Sequence, residues 1–136
     1  MQVFSPGDHG STFGGSPLAA AVGLEALRVI EEEQLIERSA HLGRDFLAAL
    51  EKLKSPLIRR VRGRGLFVGI EVDPQYLGAR TVCERLLEVG ILTKETHHTV
   101  IRLAPPLVIG APELDEAVTR IQGVFDTLGR ESRKVS

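Results

Sequence analysis

The sequence predicts an α+β fold in which helices pack on a small, mostly antiparallel sheet. Apolar residues recur at helical spacing near both ends of the chain and at period two in its middle, with breaker residues between the regimes. The first helix opens at Pro17, where a missing N–H costs nothing, behind Ser16, whose hydroxyl can cap free N–H groups. Leu18, Ala21, Val22, Leu24, Leu27, Val29 and Ile30 surround most of its circumference, so this helix needs burial on more than one side. The acidic run 31–33 suits a helix start better than a helix end and predicts a break. A second helix over 34–53 follows, with Leu35, Leu42, Phe46, Ala49, Leu50 and Leu53 on one face.

Pro56 and residues 57–64 lead into a strand over 66–72, where Leu66, Val68, Ile70 and Val72 alternate with Phe67, Gly69 and Glu71. Asp73 and Pro74 end it. A third helix over 79–89 buries Val82, Cys83, Leu86 and Leu87 and stops at Gly90. Two short strands, 91–94 and 99–103, are joined by a polar turn over 95–98, and Ala104-Pro105-Pro106 breaks the second. Pro112 opens a closing helix with Leu114, Val118, Ile121, Phe125 and Leu128 inward. Gly129 is its expected stop and 130–136 a polar tail. The order is two helices, two or three strands with a crossover helix, then a final helix, without internal repeats.

Composition narrows the function classes. The 136 residues carry 17 Lys+Arg and 18 Asp+Glu, a formal net charge of −1, with 43% hydrophobic and 26% charged residues. That is an ordinary single-domain composition, and it argues against a polybasic surface for nucleic acid or anionic membrane. The single cysteine, Cys83, excludes an intramolecular disulfide and a cysteine-rich zinc site, so a reducing, cytoplasmic setting is expected. No leader pattern opens the chain, and its apolar runs fall far short of the ~18 residues of a spanning helix.

Few residues are candidates for chemistry. Gly10-Ser11-Thr12-Phe13-Gly14-Gly15 precedes a helix start; its glycines allow close backbone approach and its hydroxyls can donate to an oxyanion, or the segment is a flexible entry loop with a cap. Arg59, Arg60, Arg62 and Arg64 alternate along an extended stretch, which suits a solvated strand face or a subunit contact. Gly63, Gly65 and Gly69 among them lack the spacing and the following helix of a dinucleotide fingerprint. His97 and His98 point apart in extended backbone and His9 lies far upstream, so no metal site is expected. Cys83 on an apolar helix face reads as packing. Arg102, inside Val100-Ile101-Arg102-Leu103 with prolines behind it, either grips a carboxylate bidentately or faces solvent.

The segment Pro6-Gly7-Asp8-His9-Gly10-Ser11-Thr12-Phe13-Gly14-Gly15-Ser16-Pro17-Leu18 resembles the P-G-x-H-G-S-T-F/Y-G-G-N-P-L stretch of the class III aminotransferases, pyridoxal-phosphate enzymes of fold type I. Val61-Arg62-Gly63-Arg64-Gly65-Leu66 and Ile101-Arg102-Leu103-Ala104-Pro105-Pro106-Leu107-Val108-Ile109 resemble two further family motifs, and residues 83–102 resemble the ornithine-type branch most. The resemblance covers residues 3–128. Ser16 stands where the family usually has asparagine; both cap helices.

The resemblance implies the C-terminal small domain of such an enzyme: 1–16 a linker with the phosphate-binding loop, 17–129 the small domain, 130–136 a tail. It implies that Ser11 and Thr12 bind the phosphate of pyridoxal 5'-phosphate held by the other subunit of a homodimer, and that Arg102 meets a substrate carboxylate. The substrates would be an amino acid and a 2-oxo acid, with no nucleic acid or membrane partner. None of Lys52, Lys54, Lys94 or Lys134 matches the family's Schiff-base lysine, so no catalytic residue is assigned and the chain alone is expected to be inactive. Acetylornithine or 4-aminobutyrate specificity, and a free-standing module that binds amino acids or regulates, are the competing expectations.

Overall fold

The computed structural model describes residue 5 and residues 7–135; the parts of the expected linker and tail at 1–4, 6 and 136 lie outside the described residues. The chain forms two compact units, Met1–Ile36 and Glu37–Ser136.

In the first unit a loop leads into α1 (Pro17–Glu32). Ser16 caps it as expected, its Oγ accepting from the Ala19 N–H at 3.4 Å, with proline in the first turn. The Glu33 N–H donates to the Val29 carbonyl at 3.0 Å and Gln34 turns to a φ of 49°, which ends the helix at the acidic run. No residue of α1 is buried: Leu18, Val22, Leu24 and Leu27 are 62–75% exposed. The burial this helix calls for is not found among the described residues.

The second unit is an antiparallel sheet backed by helices. It contains most of α2 (Leu35–Glu51), then β1 (Ile58–Arg64), β2 (Phe67–Val72), α3 (Ala79–Glu88), β3 (Lys94–Thr96), β4 (Val100–Leu103) and α4 (Ala111–Val135). The strands lie in the order β1-β2-β4-β3, with every neighbouring pair antiparallel. Val68, Ile70 and Val72 of β2 and Ile101 and Leu103 of β4 face inward. There they join one cluster with Phe46 and Leu50 of α2, Val82 and Leu86 of α3, and Ile121 and Phe125 of α4. The opposite face of the sheet carries Phe67, Gly69 and Glu71 of β2 and Val100 and Arg102 of β4.

Close approach fixes α2 against the β1–β2 hairpin. A Cβ on Gly43 would collide with the backbone of Gly65, and Gly65 itself takes a φ of +55°. Ser39 one turn earlier accepts from the Leu66 N–H at 3.2 Å.

Several expectations need correction. Residues 57–64 are not a lead-in: most form edge strand β1, whose inward positions are only Ile58, Val61 and Gly63, so its arginines hide the alternation. A register shift between Ile58 and Arg60 blurs it further. The sheet therefore has four strands, not two or three. The strand expected at 91–94 begins at Lys94, because Ile91 is committed to the end of α3. The Ile91 N–H donates to the Leu86 carbonyl at 2.8 Å and that of Gly90 to Leu87 at 3.0 Å, with Gly90 at a φ of +81°. The turn narrows to His97–Thr99, His97 and His98 taking left-handed φ values of 53° and 63°, a region histidine enters more readily than most residues. Leu87 is 58% exposed, one step past the buried stripe of α3. Gly129 does not stop α4, which runs on to Val135. Its φ is not positive, and beyond it Ser132 Oγ donates to the Leu128 carbonyl at 3.0 Å and Arg85 pairs with Glu131 at 3.3 Å. Val124 joins the inward residues of that helix.

Candidate functional site

The loop of the first unit folds into tight turns. The Gly14 N–H donates to the Ser11 carbonyl at 3.2 Å, that of Ser16 donates to Phe13 at 3.1 Å, and Gly15 takes a φ of +79°. Ser11 and Thr12 are exposed, and among the described residues neither hydroxyl has a hydrogen-bond partner. Ser16 already serves the helix N-terminus, so the oxyanion donors this loop offers are the two hydroxyls and nearby backbone N–H groups.

In the second unit, chemistry gathers on the open face of the sheet. Strand pairing puts Arg62 opposite Gly69, Gly69 opposite Arg102, and Arg102 opposite Lys94, one row across all four strands. A cavity of about 450 Å³ lies over this row, lined among others by Arg62, Phe67, Gly69, His97, Val100 and Arg102. Arg102 is exposed and makes no hydrogen bond or ion pair among the described residues. Glu71 lies one row away and is engaged, with Arg62 Nη1 at 3.4 Å and Arg59 Nη1 at 4.0 Å. On β3, Glu95 meets Arg80 at 3.4 Å; its own backbone N–H first, then Lys94 and Arg80, hold its carboxyl below the usual range.

Arg38 was not visible in the sequence as a functional support. From α2 its Nη2 donates to the Ile109 carbonyl at 2.6 Å and the Val108 carbonyl at 3.4 Å, anchoring the proline segment that follows Arg102. Nothing short of tertiary structure pairs residues so far apart. Cys83 faces the core, where burial pushes its thiol up, as packing requires. His97 lines the cavity, His98 sits at the hairpin tip and His9 lies in the first unit. Among the described residues, no group of three histidine, cysteine or acidic side chains is placed to hold a metal. No described helix is long and apolar enough to cross a membrane.

The chain thus carries a helix-backed antiparallel sheet, an arginine on its open face with no partner among the described residues, and a glycine-serine-threonine loop; sequence comparison supplies the class. The family model described as Aminotransferase class-III matches residues 1–125, and the chain belongs to that family. Within it the similarity runs to ornithine aminotransferases. The enzyme of that name from an Exiguobacterium species is 58% identical over 125 residues, 92% of this chain and 30% of its own length. The solved Plasmodium falciparum ornithine delta-aminotransferase superposes with a TM-score of 0.87 at 38% identity, over 96% of this chain and 35% of that one. The Toxoplasma gondii ornithine aminotransferase, whose structure describes partial occupancy of pyridoxal phosphate at its active site, gives 0.85 at 44% identity, over 95% and 31%. The chain thus spans about 30% of the length of the curated relatives it matches.

The donor set fits the phosphate end of pyridoxal phosphate, since Ser11 and Thr12 offer two unengaged hydroxyls on a loop that turns tightly at glycines.

Proposed function

We propose that this chain is the small-domain part of an ornithine δ-aminotransferase, cytoplasmic and homodimeric. Such an enzyme transfers the δ-amino group of ornithine to a 2-oxo acid, 2-oxoglutarate, giving glutamate 5-semialdehyde. The division into a phosphate-binding linker over 1–16, a small domain over 17–129 and a tail over 130–136 belongs to this reading. The observation that carries it is Arg102: a guanidinium on an inner strand, facing a cavity and without a hydrogen-bond or ion-pair partner among the described residues, in a chain 55–58% identical to ornithine aminotransferases. Its role is to bind a substrate carboxylate or, in the ornithine-type branch, to be held partly by a glutamate of the large domain, which steers reaction to the δ-amine. Ser11 and Thr12 would hold the phosphate of the cofactor bound to the other subunit. When bound, pyridoxal phosphate supplies the electron sink that amino-group transfer needs.

A chimera tests this, with the chain replacing the matching 125 residues of the Exiguobacterium enzyme. It should convert ornithine and 2-oxoglutarate, whereas the 136-residue chain alone should give no turnover. Arg102→Ala in the chimera should cost about ten- to a hundredfold in kcat/KM, as expected for a lost charge-assisted carboxylate contact of about 1.5–3 kcal/mol. A folded, dimeric chimera that prefers N-acetylornithine to ornithine would refute the assignment.

A further inference from the structure

Arg102 sits where β4 is about to leave the sheet. It is the last residue of that strand with a partner on both sides, Gly69 of β2 and Lys94 of β3; Leu103 pairs only with Val68, and Ala104 lies outside the ladder. Pro105 and Pro106 have no N–H to offer, so the ladder cannot extend through them, and their rings stiffen the backbone. The Ile109 N–H closes the segment into a turn by donating to the Pro106 carbonyl at 3.0 Å. Residues 104–109 thus form a short strut joined directly to the arginine's strand. Its far end is held in two ways. Glu113 Oε2 accepts from the Gly110 N–H at 2.6 Å, a local bond at the start of α4. Arg38 reaches over from α2, seventy-one residues away, and its Nη2 donates to the Ile109 carbonyl at 2.6 Å and to the Val108 carbonyl at 3.4 Å. Arg38 makes no ion pair among the described residues, so its charge is given to these carbonyls. Its neighbour Ser39 accepts from the Leu66 N–H at 3.2 Å, so the tether springs from a helical turn that is itself fixed to the β1–β2 hairpin.

We propose that Arg38 is a positioning residue for Arg102: by pinning the far end of the proline strut it fixes the end of β4, and with it the place from which the Arg102 guanidinium works. A binding group must be held to within about 0.5 Å of its productive geometry, so a loosened strut weakens the carboxylate contact although Arg38 never touches the substrate. The tether stands on the geometry alone; its effect on substrate binding rests on the function proposed above.

Arg38→Ala in the chimera tests both halves. Amide hydrogen exchange should quicken about tenfold at residues 101–103 and stay unchanged at Val61 on the sheet edge. KM for ornithine should rise about fivefold, with kcat within about twofold of the parent and the urea midpoint unchanged. A residue that merely stabilised the fold would instead lower the midpoint and the active fraction, hence kcat, and leave KM alone. Arg38→Lys, which keeps a charged donor without the guanidinium fork, should recover part of the KM. In an Arg102→Ala background, Arg38→Ala should change KM by less than about twofold, because the tether acts through that arginine. Unchanged exchange at residues 101–103, or a fivefold rise in KM that persists without Arg102, would overturn the proposal. Normal ornithine turnover with an unaltered KM in Arg38→Ala also rejects it and leaves the ornithine assignment standing. Quickened exchange in a chimera that does not turn over ornithine does the reverse.

Discussion

Gly43 and Gly65 show what a missing side chain does at one contact. The α2 backbone reaches the β1–β2 turn only because neither residue carries a Cβ, and Ser39 then collects the Leu66 N–H. Gly43→Ala would ordinarily favour a helix by about 1 kcal/mol. Here the overpacking should outweigh that gain and lower the unfolding free energy by about 1–3 kcal/mol, measurable by urea denaturation. Cys83 gives a residue-scale pH prediction. Its thiol is raised in the folded state by burial, so the neutral form contributes stability that is complete below the ordinary thiol pKa. That contribution is lost as pH climbs through the raised value. Cys83→Ala should flatten the alkaline fall in stability, and a thiol reagent should label the native chain far more slowly than the unfolded one. At this scale the sequence was most readable where chemistry is local: Ser16 as cap and Gly90 at the end of α3 needed only their neighbours. Arg102 did not yield to the same reading, because period two allows either face, and the cavity it lines comes from strands distant in sequence.

Among the elements, β1 and α4 show how surface residues mislead. A strand at a sheet edge with arginines on its open side keeps too few inward apolar residues to reveal its period, so the partner of Gly69 could not be named before the register was known. Hence the pairing of Arg62 with Gly69 was invisible in the sequence, although the four arginines were not. In α4, Gly129 looked like a terminus because glycine so often ends helices, yet it lies inside one, with open space where its Cβ would be. Gly129→Ala should therefore stabilise the chain by about 0.5–1 kcal/mol, seen as a higher midpoint in thermal unfolding followed by circular dichroism. A destabilised variant would mean that the helix ends at this glycine.

For the molecule as a whole, a net charge of −1 conceals the separation of its charges. Arg62, Arg102 and Lys94 share one row of the sheet face with Glu71 in the next row, while other acidic residues pair with arginines of the helices, as Glu84 does with Arg80 at 2.9 Å and Glu32 with Arg28 at 2.9 Å. The whole-chain sum could not show this local concentration of positive charge. The all-round apolar α1 was legible as a helix in need of partners, and its exposed leucines agree with a chain that spans a third or less of its curated relatives.

The strand order has a kinetic consequence. β1 with β2, and β3 with β4, can each zip up as a local hairpin, but β2 meets β4 only after the segment carrying α3 has closed on itself. That closure loses chain entropy before Ile70 and Ile101 come into register, and it should limit the rate of folding. Ile101→Val should then act mainly on the refolding rate, whereas Val61→Ala, at the edge, should show itself mainly in faster unfolding.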